Sequence, residues 1–149
     1  MAVKFRDITE DNFDECVKLK VRADQPYVAP NVYSIAQAKV DPDWTIKAIY
    51  ADDAMVGFAM YVLDPEVEHE LYLCRFMVGE LFQGKGYGTA ALGILRAEAE
   101  ATPGIQRMKL STRPDNANGI RVYERFGFVD TGVLDDGEEV FVLELSSPA

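Results

Sequence analysis

A chain of 149 residues with 48% hydrophobic content has the size and composition of one folded domain, and we read it as one unit over residues 1–149. Its net charge of −10, from 15 Lys and Arg against 25 Asp and Glu, argues against nucleic acid and anionic membrane, which both need a basic patch, and permits a cationic small molecule. No apolar run approaches the roughly 18 residues of a membrane helix, and Met1–Asp7 has no apolar signal core, so a cytoplasmic protein is expected. Cys16 and Cys74 lack metal-ligand spacing and read as reduced thiols. His69 is the single histidine, so a multi-histidine metal site is excluded and no metal is expected.

Along the chain, Val3 and Phe5 alternate with Lys4 and Arg6 as a short first strand. Thr9 can cap a helix whose apolar side holds Phe13, Val17 and Val21. Pro26 and Pro30 bracket an irregular segment, and Ser34 can cap a second helix through Ile35, Ala38 and Val40, closed by Pro42. Trp44–Tyr50 and Met55–Leu63 read as strands around Ala51-Asp52-Asp53-Ala54, and Leu71–Val78 as a third apolar strand. A glycine loop follows, then a helix over Thr89–Glu100 with Ala91, Leu92, Leu95 and Ala99 on one side. Met108, Leu110 and Thr112 alternate as a strand. Asn116 opens a helix over Ala117–Phe126, with Gly127 at its C-terminal end. Phe128–Thr131 and Val140–Leu145 form a hairpin across Asp135-Asp136-Gly137. The order gives an α/β protein, a mixed sheet carrying helices.

Strand, glycine loop, helix is an arrangement suited to phosphate. The first N–H groups of a helix have no intrahelical partner, the helix dipole adds positive charge there, and glycines let the backbone approach closely. Gln83-Gly84-Lys85-Gly86-Tyr87-Gly88 can therefore hold a pyrophosphate, with Lys85 adding charge. The dinucleotide pattern G-x-G-x-x-G fails. The P-loop pattern, begun by Gly79 and reaching Gly84-Lys85, fails at Gly86, where a Mg²⁺-holding Ser or Thr is required.

The loop resembles the acetyl-CoA motif of the GNAT acetyltransferases, Q/R-x-x-G-x-G/A after a strand, with Gln83, Gly86 and Gly88 at its fixed positions. Asn116, Gly119, Tyr123 and Gly127-Phe128 are similar to the family's second motif. The resemblance implies an acyl-CoA acyltransferase fold: a central, mostly antiparallel sheet of six or seven strands flanked by about four helices. It implies acetyl-CoA held by Met77 and Val78 of the strand, by the loop residues Gln83, Gly84, Lys85, Gly86, Tyr87, Gly88 and Thr89, and by Asn116 and Tyr123. Transfer is then direct to an amine, with Tyr123 as general acid to the departing thiolate and a backbone N–H near Val78 polarising the carbonyl. Homodimers are common in the family.

An alkyl ammonium of pKa about 10.4 must lose its proton first, a deficit of about 4–5 kcal/mol at neutral pH. Glu70, Glu68 and His69, just before the strand Leu71–Val78, are the candidate bases, acting directly or through water. His69 and Cys74 are five residues apart, which on a strand places them on opposite faces and disfavours a Cys–His nucleophile. The segments Gln25-Pro26-Tyr27-Val28-Ala29-Pro30-Asn31 and Ser34–Ala38, with Arg75-Phe76-Met77-Val78, resemble the diamine/spermidine branch of the family. That resemblance makes Asp24, Tyr27 and Asn31 candidates for the acceptor site, and spermidine or spermine the acceptor. Relatives often carry an acid where this chain has Cys74. Two other readings stay open: a GNAT acting on an amino acid, aminoglycoside or protein N-terminus, and an acyl-CoA-binding module without catalysis.

Overall fold

The computed structural model describes residues 2–26 and 29–145. In chain order the elements are β1 (Val3–Arg6), α1 (Phe13–Lys18), α2 (Asn31–Val40), β2 (Thr45–Ala51), β3 (Ala54–Asp64), β4 (Glu70–Val78), a 3-10 turn (Glu80–Phe82), α3 (Tyr87–Ala101), β5 (Arg107–Thr112), α4 (Ala117–Phe126), β6 (Val129–Asp135) and β7 (Glu138–Glu144). The strands form one sheet in the order β1-β2-β3-β4-β5-β7-β6. Only the β4–β5 pair is parallel. The mostly antiparallel seven-stranded sheet with four helices agrees with the expected architecture. No helix among the described residues is long and apolar enough to cross a membrane.

Period-2 burial sets the two faces. On one, α3 lays Ala91, Leu92, Leu95 and Ala99 over Ile49, Val56, Tyr61, Leu71, Leu73, Met108, Leu110 and Phe141. On the other, α1 and α2 cover Ala48, Tyr50, Phe58, Met60 and Met77, with Cys16 fully buried among them. Burying a large apolar side chain contributes about 1.5–3 kcal/mol, so these two layers carry most of the fold's stability.

Three helix starts differ from the sequence reading. α1 begins at Phe13, because the Asn12 side chain accepts from the Thr9 N–H at 2.7 Å and holds residues 9–12 in a turn. It ends at Lys18, so Val21 lies beyond the helix. Leu19 turns extended there and packs against Gly79, where an added Cβ would sit 2.6 Å from its Cδ1. α2 begins at Asn31, three residues before Ser34. Ser34 is instead fully buried, its Oγ accepting from Arg75 Nη1 at 3.2 Å. α3 begins at Tyr87 and takes up the end of the glycine loop.

Candidate active site

β4 and β5 pair from Glu70↔Arg107 to Leu73↔Leu110 and no further. The cause lies on the other edge of β4. Against β3 the register runs Met60↔Arg75 and then Tyr61↔Leu73, so Cys74 is an extra residue, a β-bulge. Beyond it β4 follows β3 to Val78, while β5 follows β7 to Thr112. The two strands part, and a cleft of about 990 Å³ opens between them, with Cys74 to Val78 on one side and Leu110 to Thr112 on the other.

The glycine loop lines one end of the cleft. Gly84 and Gly86 have φ of 77° and 84°, a left-handed backbone that costs an L side chain about 1–2 kcal/mol. Gly86 is the N-cap of α3, and the first intrahelical bond runs from the Ala90 N–H to its carbonyl at 3.1 Å. The N–H groups of that first turn therefore have no intrahelical acceptor. Gly88 has ordinary φ, and a Cβ there would meet Val78 and Phe76 at 3.7 and 3.9 Å, normal packing distances. That contact explains why alanine is an allowed alternative at this motif position. Gln83 fastens the loop to the strand end: its Nε2 donates to the Val78 carbonyl at 2.9 Å and to Gln25 Oε1 at 2.8 Å.

α4 lines the other side. Asn116 caps it, accepting from the Gly119 N–H at 3.2 Å and donating from Nδ2 to Thr112 Oγ1 at 3.0 Å. The small residue at 119 is required by this cap, since a Cβ there would lie 2.4 Å from Asn116 Nδ2. One turn on, Tyr123 packs edge-on to Phe128 with ring centroids 6.1 Å apart. Its hydroxyl makes no hydrogen bond to any described residue, yet no buried side-chain polar atom among them is left unpaired. Together with the lining of the cleft by Tyr123, this leaves the hydroxyl open to the cleft. Desolvation pushes its pKa up to about 12, so the phenol stays protonated at neutral pH.

The cleft reverses the charge of the chain. Among its described lining residues are four arginines, Arg22, Arg75, Arg121 and Arg125, and one carboxylate, Glu138. Sequence reasoning named none of these five as site residues. Asn118, Arg121 and Arg125 recur at spacings of three and four on α4, a helical-face signal that was available. Arg75 was noted only as part of a motif. Its Nη1 donates to Gln37 Oε1 at 2.7 Å as well as to Ser34, tying β4 to α2. Glu138 carries no local signal, because β7 brings it to the cleft from the far end of the chain.

Of the residues expected at the cofactor, Met77, Val78, Gln83, Gly84, Gly86, Tyr87, Gly88, Thr89, Asn116 and Tyr123 all line this one cleft, and Lys85 stands exposed beside it. The remaining candidates are placed elsewhere. Glu70 sits at the closed end of the β4–β5 pair, 6% exposed, with its Oε2 3.2 Å from Lys109 Nζ, and does not reach the cleft. Glu68 gives its carbonyl to Arg107, and His69 Nδ1 lies 3.2 Å from the Gly104 carbonyl. Asp24 pairs with Arg22 at 3.3 Å on a shallow neighbouring depression. Asn31 is turned inward, 4% exposed, its Nδ2 donating to the Cys16 carbonyl at 2.9 Å. Tyr27 lies outside the described residues.

A left-handed glycine cradle at a helix N-terminus, an arginine-lined cleft in an acidic chain and a buried phenol with an open hydroxyl fit the phosphates and thioester of acetyl-CoA. The comparisons agree. A family model described as the acetyltransferase (GNAT) family matches residues 5–128. The spermine/spermidine N(1)-acetyltransferase of Bacillus subtilis (strain 168) is 34% identical over 152 residues, covering 97% of this chain and 100% of that protein. Among solved structures, the spermidine N-acetyltransferase from Vibrio cholerae in complex with CoA and spermine has a TM-score of 0.74 at 12% identity, covering 95% of each chain. The PaiA N-acetyltransferase from Thermoplasma acidophilum in complex with coenzyme A has a TM-score of 0.73 at 14% identity, covering 97% of this chain and 100% of that one. At those identities the structural likeness speaks for the fold alone. The matched family model and the full-length relative go further: the chain belongs to the GNAT family and is an acetyl-CoA-dependent N-acetyltransferase.

Proposed function

We propose that the chain transfers acetyl from acetyl-CoA directly to a primary amine of a polyamine or diamine such as spermidine or spermine. The observation that carries the reading is the buried Tyr123 hydroxyl, open to the cleft where β4 and β5 part, with the Gln83–Gly88 loop lining the same cleft. The 34% identical spermine/spermidine enzyme supports the choice of acceptor.

When bound, acetyl-CoA supplies an activated thioester carbonyl. The first-turn N–H groups of α3, with Gln83 to Gly88, hold its pyrophosphate, and Arg121 and Arg125 offer guanidinium charge on the α4 side. A main-chain N–H near Val78 polarises the carbonyl, a kind of donor worth about 3 kcal/mol in the transition state. Tyr123 donates the Oη proton to the departing sulfur. A phenol at about 12 is a weak acid beside a free thiol near 8.5, so it keeps its proton at neutral pH and stands ready as the donor when the C–S bond breaks. Glu70 is held by Lys109 away from the gap, so the ammonium proton leaves through water in the cleft and not by contact with that carboxylate.

The reading extends to a cytoplasmic protein that binds neither nucleic acid nor membrane, supported by the net charge of −10 and two free cysteines. It also extends to a homodimer, for which the exposed Val129, Val133 and Leu134 of edge strand β6 offer an apolar surface. Thiol release from acetyl-CoA across an amine panel tests the acceptor. Turnover of spermidine, spermine or short diamines is expected. Turnover of an amino acid, aminoglycoside or peptide N-terminus in their place refutes the acceptor, and tight CoA binding with no turnover on any amine refutes catalysis.

A further inference from the structure

The face of β4 and β5 opposite α3 carries one group with no role so far. Glu138, the first residue of β7, lines the cleft half-buried, and its Oε1 accepts from Ser111 Oγ at 3.0 Å. Ser111 lies on β5 just past Leu110, where pairing with β4 has ended, so the carboxylate is fixed at the opening of the gap. No Lys or Arg among the described residues comes within ion-pair distance of it. The lysine on the same face, Lys109, is taken by Glu70 at 3.2 Å. Asp135 is its register partner across the hairpin and adds negative charge. Beside it in the cleft lining are Tyr72 and Cys74, whose acidities are lowered first by burial and further by the charge of Glu138. The Tyr72 ring also packs obliquely on Trp44, with centroids 6.2 Å apart, and Lys109 Nζ lies 5.3 Å from its centroid, so the ring already serves as a surface for a cation.

A half-buried carboxylate without a cationic partner is costly to keep unless a ligand supplies the partner. The other charged groups lining this cleft are arginines, which suit phosphates and repel an ammonium. We propose that Glu138, braced by Ser111 and flanked by Tyr72, binds the second, non-reacting ammonium of the acceptor and so selects diamines and polyamines over monoamines. This rests on the polyamine reading above. The reacting amine is placed toward the gap between β4 and β5, and Glu138 engages the charge that follows it along the acceptor.

The test compares spermidine with butylamine, which has one amine, in the wild type, Glu138→Gln and Ser111→Ala, with acetyl-CoA KM and Tm as checks on fold and cofactor binding. Glu138→Gln is expected to lower kcat/KM for spermidine by about 10- to 100-fold, mostly through KM, the loss typical of one charge-assisted hydrogen bond. Butylamine turnover and the acetyl-CoA KM should stay within about 2-fold, and Ser111→Ala should move spermidine the same way by a few-fold. A wild type that prefers butylamine refutes the polyamine reading and this inference with it. A wild type that prefers spermidine while Glu138→Gln keeps that preference, or loses both amines equally, refutes the role of Glu138 alone. Should Glu138→Gln fail to fold, an unchanged spermidine KM in Ser111→Ala refutes it equally.

Discussion

The glycine loop makes a prediction that separates backbone conformation from bulk. An added Cβ at Gly86 meets nothing within 4 Å, so the whole cost of Gly86→Ala is its φ of 84°. That cost is about 1–2 kcal/mol, which in a protein of this size lowers Tm by about 2–8 °C. Gly88 presents the opposite case, with ordinary φ and normal distances of 3.7 and 3.9 Å to Val78 and Phe76. It stands in the first turn of α3, where alanine gains at most about 1 kcal/mol, so Gly88→Ala should leave Tm unchanged or raise it by up to about 4 °C. Gly86→Asn adds more bulk than Gly86→Ala, but asparagine visits the left-handed region more readily, so it should recover part of the stability. Thermal melts of the three variants, run with and without CoA, are the assay. Acetyl-CoA affinity should fall at least several-fold in Gly86→Ala, where the first-turn N–H groups are redirected, and stay near wild type in Gly88→Ala. Equal destabilisation by the two alanines, or a Gly86→Ala variant that melts like the wild type, refutes the reasoning.

Tyr123→Phe should lower kcat by about 100-fold or more at unchanged acetyl-CoA affinity, because it removes one proton donor and little packing. Its alkaline stability should differ in a defined sense. Below pH 10 folded and unfolded chains both hold the phenol proton; between pH 10 and about 12 only the unfolded chain gives it up, so the wild type loses up to about 3 kcal/mol that Tyr123→Phe does not. Denaturant melts across that window check the sign, and a steeper alkaline loss in the variant contradicts it. Gly119→Ala should destabilise by about 1–2 kcal/mol, since its Cβ would fall 2.4 Å from Asn116 Nδ2 and break the cap. Added to Asn116→Ala it should cost little more, which a double-mutant cycle measures. Gly57→Ala should cost about 1–3 kcal/mol in a urea melt, because its Cβ would lie 2.4 Å from the Met77 carbonyl on β4.

Much of this was legible in the sequence because it is local. The loop Gln83–Gly88 and the run Asn116 to Phe128 are fixed by spacing along one stretch of chain, and the structure brings both to one cleft. The hairpin turn at Asp136 and Gly137 was legible for the same reason, since φ of 51° and 80° suits those two residues. Asn31, an acceptor-site candidate through the resemblance, and Ser34, a candidate cap by its polarity, each serve instead a partner distant in sequence: the Cys16 carbonyl and the Arg75 guanidinium. Glu70 was misread for a related reason. Proximity in sequence to an apolar strand said nothing about which end of that strand the chemistry would use.

Cys74 shows where a local pattern stops being informative. Read at period two, Leu71–Val78 is an unbroken strand, and the position is merely a polarisable residue among apolar ones. In the sheet it is the unpaired residue between the Leu73 and Arg75 registers, and it changes parity. Leu71 and Leu73 face α3 before the bulge, and Arg75 and Met77 face α2 after it. A regular strand would continue alongside β5 through Ser111 and Thr112 and close the gap that the cleft occupies. The bulge is thus what turns two adjacent parallel strands into a binding site. It also overturns the argument that five residues of separation set His69 and Cys74 on opposite faces, since a bulge breaks the alternation that argument needs. The conclusion stands on other grounds: His69 has a positive φ of 57°, lies before the strand and is occupied by the Gly104 carbonyl, so Cys74 has no imidazole to activate it.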